Sequence, residues 1–93
     1  MIHQLKCEKV FFEEIITQKK RFEVRKNDRG FSVGDYLALN EYDAENELHT
    51  GRSVFLEVTS LIDDERFCKP GFVIMSIEIC GIESDGQLIY FLE

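Results

Sequence analysis

Residues 19–35 read Lys-Lys-Arg-Phe-Glu-Val-Arg-Lys-Asn-Asp-Arg-Gly-Phe-Ser-Val-Gly-Asp. From Arg21 to Asn27 the run alternates strictly, Phe22 and Val24 on one side and Arg21, Glu23 and Arg25 on the other. That is the period of a half-buried strand with its apolar side toward the core. Asn27-Asp28-Arg29-Gly30 then reads as a turn, because Asn and Asp bond their own main chain and Gly tolerates left-handed backbone. Gly34-Asp35 marks a second turn. The same run gathers charge: Lys19 to Arg29 holds six Lys or Arg against two carboxylates, a local +4 in a chain of −7, so that the remainder carries −11. Such segregation points to an electropositive patch able to attract an anion.

Outward from this run the periodicity is mostly that of strands. Ile2 to Cys7 alternates loosely as a first strand with Leu5 inward. From Glu8 the spacing becomes helical, with Phe11, Phe12, Ile15 and Ile16 on one face. Glu8, Glu13 and Glu14 come early and Lys19 and Lys20 close the helix, an order that suits the helix dipole over about three turns. Tyr36–Tyr42 and Ser53–Ile62 read as strands, and Asp43–Arg52 as a polar loop between them. Asp63–Gly71, which holds the one proline, is a further loop. Phe72–Cys80 is the most β-rich run, with Val73, Met75, Ile77 and Ile79 on one face. Ser84-Asp85-Gly86 is a hairpin signal that folds Gln87–Leu92 back antiparallel. One helix and six short strands without a repeated βαβ unit predict an α+β, mostly β fold: a mainly antiparallel sheet closed into a small barrel, with one principal N-terminal helix.

Composition narrows the class. Ninety-three residues suit one domain with one modest core, residues 83–93 forming an added C-terminal hairpin strand, and eight Phe supply large core side chains. No apolar run approaches the ~18–20 residues that span a bilayer, and Met1 to Cys7 lacks a signal peptide's apolar centre, so a cytoplasmic location and no membrane partner are expected. Three cysteines, Cys7, Cys68 and Cys80, are an odd number with no CxxC spacing. They are read as reduced thiols, Cys80 as a buried hydrophobe, with no metal site and no cofactor implied. The acidic net charge argues against a nonspecific grip on duplex DNA.

Beyond pattern, the wording of residues 19–35, preceded by a helix and followed by a strand with Glu41-Tyr42-Asp43, closely resembles the ASCH group of PUA-like domains. Most similar are its small stand-alone bacterial and phage members, which are functionally uncharacterised. Ile2-His3-Gln4-Leu5-Lys6, Thr50-Gly51-Arg52 and Gly71-Phe72-Val73-Ile74-Met75-Ser76-Ile77 carry the same resemblance, which runs from residue 2 to about 79. It implies a PUA-like barrel with a cleft between helix and barrel, where relatives are thought to hold RNA or a nucleotide-like ligand. Some ASCH relatives are amidohydrolases acting on acylated cytidine nucleosides through a Lys, a Thr and a Glu, and others are linked to ribonuclease activity. Lys20 aligns with that lysine, but Glu23 stands in the threonine's place. The helical insertion bearing the catalytic glutamate has no counterpart in the short Asp63–Gly71 segment.

The candidate site is therefore Lys20, Glu23 and Arg25. Glu23 and Arg25 lie two apart on one strand face, β-carbons about 6–7 Å apart, so both reach one ligand. The alternative is a solvated pair contributing about 0–1 kcal/mol. Arg21 and Lys26, with Lys19, are phosphate contacts or plain solubilising charges, and Arg29 in the turn is a further candidate ligand contact. Asn27 and Asp28 are accounted for by turn geometry, His3 is more naturally structural, and Tyr36, Tyr42 and Phe31 are core aromatics before they are base-stacking platforms. The favoured function is an RNA- or nucleotide-binding module. The alternatives are a small nucleoside amidohydrolase or ribonuclease using Lys20 and Glu23, and a protein-interaction domain presenting the acidic Asp43–Glu47 stretch.

Overall fold

The computed structural model describes residues 1–90. Its elements run β1 (Ile2–Glu8), α1 (Lys9–Ile16), β2 (Phe22–Lys26), β3 (Tyr36–Asp43), β4 (Leu48–Ile62), β5 (Phe72–Ser84) and β6 (Gln87–Tyr90). The fold is α+β and mostly β, as the periodicity predicts. One sheet carries the strands in the order β1-β3-β4-β5-β2, with β6 also paired to β5. All pairs are antiparallel except β1 with β3, which are parallel because α1 and β2 lie between them in the chain and form the crossover.

β4 is long enough to serve two neighbours, β3 along its first part and β5 along its second. Its pairing with β5 shifts register between Phe55 and Leu56 and again between Val58 and Ser60, irregularities of the kind that bend a strand and raise its twist. The bends curl the sheet around Leu37, Leu39, Val54, Leu56, Val58, Val73 and Met75, all fully buried, with Phe12 and Ile15 of α1 closing one end. Of the β5 face expected to carry Val73, Met75, Ile77 and Ile79, the first three are buried and Ile79 is half-buried. β2 takes the first part of the β5 edge that β4 leaves open (72–76) and β6 the last part (81–84). Asp85 and Gly86, both with positive φ (52° and 80°), make the predicted hairpin turn. The expected strand to Leu92 is seen to Tyr90; its last two residues lie outside the described ones.

The curl is that of a half-barrel rather than the closed barrel expected. Among the described residues no ladder joins the end strands β1 and β2, so a seam remains between them.

Three further expectations change. The helix ends at Ile16, short of Lys19 and Lys20, because the chain turns at Gln18. Gln18 N–H donates to Ile15 O (3.0 Å) and Lys19 N–H to Glu14 O (2.9 Å), with Gln18 left-handed at φ 61°, which is a Schellman stop. Glu13 and Glu14 thus fall in the last turn, and the helix has no acidic first turn and no basic last turn. The dipole argument does not hold. Second, the expected 43–52 loop is largely hairpin: Asp43 Oδ1 accepts the N–H groups of Glu45 (3.1 Å) and Asn46 (3.2 Å), and β4 starts at Leu48. The acids of that stretch are turn and strand residues. Third, Cys80 is only half-buried, and the core thiol is Cys7.

Candidate functional site

β2 is inverted relative to its apolar pattern. Glu23 is 3% exposed, whereas Phe22 and Val24 are 47% and 49% exposed. Pairing with Met75 and Val73 sets Glu23 and Arg25 on the interior face, because directly paired residues share a side of the sheet. A carboxylate in that position must be compensated. Lys20 Nζ donates to Glu23 Oε1 at 2.6 Å and Arg25 Nε to Oε2 at 2.8 Å. Arg25 Nη2 continues across the seam to Lys6 O at 3.1 Å. The three residues singled out from the sequence therefore converge, and the solvated-face alternative does not describe Glu23.

Alternation also places main-chain groups in the seam. Arg21 O accepts from Ile77 N–H and Asn27 N–H donates to Gly71 O, so the odd residues of β2 face β5 and Phe22 and Val24 turn their N–H and C=O groups toward β1. On β1, Met1 O bonds Tyr36 N–H toward β3, and the even residues, Lys6 among them, face β2. Between these edges lies a cleft of about 560 Å³ with a mostly apolar lining, bounded by Lys6, Cys7 and Glu8 of β1, Phe11 and Glu14 of α1, and residues 19, 20 and 22–25. Lys20 Nζ sits 5.5 Å from the Phe11 ring centre and 5.1 Å from that of Phe22. The same ammonium bonds Glu23, so it links the two rings to the buried carboxylate. Burial, reinforced by the Glu23 charge, pushes the Cys7 thiol at the cleft wall up to about 11.

The other predicted residues are placed elsewhere. Arg21 lines a second, smaller hollow on the far side of the 19–21 junction. Lys26 and Arg29 are exposed and line neither hollow. Lys19 joins the cleft wall, so four cations and three carboxylates line it and the +4 of the sequence run is not the charge of the cleft. Asn27 Oδ1 accepts from Phe31 N–H (3.1 Å) and is a turn cap. His3 bonds Asp35 Oδ2 through Nε2 (2.9 Å) and packs edge-on to the buried Phe31 (4.7 Å), a structural role. That bond is the main cause holding the Asp35 carboxyl below its ordinary range. Among the described residues no three His, Cys, Asp or Glu are grouped to hold a metal.

A second compensated carboxylate escaped the sequence reading. Glu41, 3% exposed and paired with Cys7 across β1 and β3, takes Arg52 Nε on Oε1 (2.8 Å) and Nη2 on Oε2 (2.9 Å), with Thr50 Oγ1 donating to Oε1 at 2.5 Å. Arg52 lies over the Phe12 ring at 5.0 Å and reaches Glu13 Oε2 at 3.4 Å. The guanidinium, with the Thr50 hydroxyl behind it, keeps the Glu41 carboxyl below its ordinary range. This fork ties the β3–β4 hairpin to α1, the element that roofs the cleft.

The chain belongs to the family described as Domain of unknown function (DUF3850), which it matches over residues 2–77. It is 37% identical over 62 residues to the "Uncharacterized 12.9 kDa protein in GpA 3'region" of Escherichia phage P2, an alignment covering 67% of this chain and 55% of the phage protein. The chain thus spans about half the length of that relative. Both the basic run and the strand face it forms lie within the matched residues 2–77.

Proposed function

We propose that the seam cleft binds a nucleobase, and that the protein is an RNA- or nucleotide-binding module of the ASCH, PUA-like kind. The observation that carries this reading is Glu23, buried and held between Lys20 and Arg25 close to two phenyl rings at the cleft. A cleft of about 560 Å³, with much apolar lining surface and seven charged side chains around it, has the size of a small-molecule site. Phe11 and Phe22 offer faces for stacking, which contributes about 1–3 kcal/mol per base. Glu23, Arg25 and the strand-edge main chain offer acceptors and donors for a base edge, and Lys6 and Lys19 offer charge for phosphate. The same proposal places the protein in the cytoplasm, where RNA and nucleotides are at hand.

The test is equilibrium binding of the four 5′-mononucleotides and a short mixed RNA at low salt. Wild type should bind at least one, and Phe11→Ala should weaken it about 10-fold, as loss of one stacking face predicts. No binding by wild type would sink the reading. Incubation with N4-acetylcytidine and with RNA separates binding from hydrolysis: turnover abolished by Lys20→Ala would make the Lys20–Glu23 pair catalytic instead.

A further inference from the structure

We infer that the ligand is an oligonucleotide strand rather than a free nucleotide. One base occupies the seam cleft, the phosphodiester crosses Lys20, and the neighbouring sugar-phosphate lies in the second hollow beside Arg21. The inference rests on the seam cleft being a nucleobase site and specifies what fills the surface next to it.

The second hollow measures about 280 Å³ and is bounded by Gln18, Lys20, Arg21, Thr59 and Glu78 together with three isoleucines. It is half the size of the seam cleft, about 560 Å³, and more polar, which suits a sugar-phosphate better than a second base. Lys20 lines both hollows and no other residue does, so a chain passing from one to the other passes this ammonium. The Schellman stop at Gln18 turns the chain sharply out of α1, so that Gln18 lines the second hollow and Lys19 the first. It also positions Arg21, which lines the hollow: Nε donates to Gln18 O at 3.3 Å, and the guanidinium makes no ion pair among the described residues. A guanidinium so tethered can present both Nη groups to phosphate oxygens.

The experiment compares each 5′-mononucleotide with the 5′-phosphorylated dinucleotide of the same base, for wild type and Arg21→Gln. The dinucleotide should bind about 10- to 100-fold tighter, the range for hydrogen bonds to a charged group. Its log-log salt slope should be steeper by about 0.7, one more phosphate neutralised. Arg21→Gln should bring the dinucleotide down to the affinity of the mononucleotide, which does not extend to Arg21. Because Arg21 is exposed, an unchanged thermal midpoint verifies that the variant folds. A dinucleotide bound no tighter than its mononucleotide, or an Arg21→Gln variant that weakens both alike, overturns the inference and leaves the base site standing. Failure of wild type to bind either ligand overturns the base site and the inference with it.

Discussion

Arg25 donates from Nη2 to the main-chain carbonyl of Lys6 at 3.1 Å, spanning the seam that separates the two end strands of the sheet. The same side chain gives Nε to Glu23 at 2.8 Å. One guanidinium therefore compensates a buried carboxylate and ties β2 to β1, two tasks that a lysine amine, with its single nitrogen, cannot divide in the same geometry.

Removing the two partners of this pair should have unequal consequences. Arg25→Ala leaves Glu23 buried with Lys20 as its one remaining ion pair and unties the seam, which should cost about 2–4 kcal/mol. Glu23→Gln leaves Lys20 and Arg25 with part of their surface in water, at 16% and 25% exposure, and should cost about 1 kcal/mol. Urea unfolding of both single variants and the double variant measures the coupling. Equal losses in the two single variants would contradict the burial of Glu23.

The Glu41–Arg52 fork predicts an acid-sensitive contribution. Its carboxyl is held below the ordinary value of 4.5, so the folded state binds a proton less readily than the unfolded one. The stabilisation is complete above that ordinary value and is lost as pH falls through the lowered folded one. At pH 7, Arg52→Gln should destabilise by about 2–3 kcal/mol, less than a fully buried pair because Arg52 is 36% exposed. The gap between wild type and variant should shrink as pH drops below about 4. Chemical denaturation at pH 7 and pH 3 tests this, and a gap independent of pH would exclude the fork as its source.

Gln18 occupies the left-handed stop position usually given to glycine, and its side chain is exposed. Gln18→Gly should therefore stabilise the protein by about 0.5–1 kcal/mol, the steric cost of a β-carbon at that φ outweighing the extra freedom of glycine in the unfolded chain. A higher thermal midpoint is the expected reading. A lower one would mean that the chain leaves α1 by another turn.

Periodicity made the strands legible and left their facing ambiguous. The alternation in Phe72–Cys80 identified the strand and grouped Val73, Met75 and Ile77 on one face, which is the buried one because it meets a core with no competing demand. In residues 21–27 the same rule identified the strand and misassigned its inside. Alternation states which residues share a face, and here Lys20, just beyond the helix, makes the interior able to accept Glu23. Charge clustering drew attention to the right residues for an incomplete reason, since half the cations of the run lie away from the cleft. The Glu41–Arg52 fork had a signal that went unused. Leu37, Leu39 and Glu41 share one parity, so an acid continues an apolar face and requires a cation. Its partner lies beyond a hairpin that reads as a polar loop, because Asp43, Glu45 and Asn46 satisfy turn geometry with side chains that look merely solvated.

Cys7 gives a chemical probe of the cleft wall. It is 3% exposed, against half-buried Cys68 and Cys80, and its thiol is pushed up to about 11 from an ordinary 9.0 by burial and by the Glu23 charge. Reaction with a thiol reagent requires thiolate, so at pH 8 Cys68 and Cys80 should label first and Cys7 only on the timescale of opening. Because the folded value is the higher one, the thiol contributes stability in full below about pH 9 and loses it as pH rises toward 11. Cys7→Ala should remove that alkaline loss at the expense of a small cavity. Arg25→Ala, by untying the seam in front of Cys7, should speed its labelling more than that of the other two. Uniform labelling of all three thiols in wild type would show that the cleft wall is open to solvent.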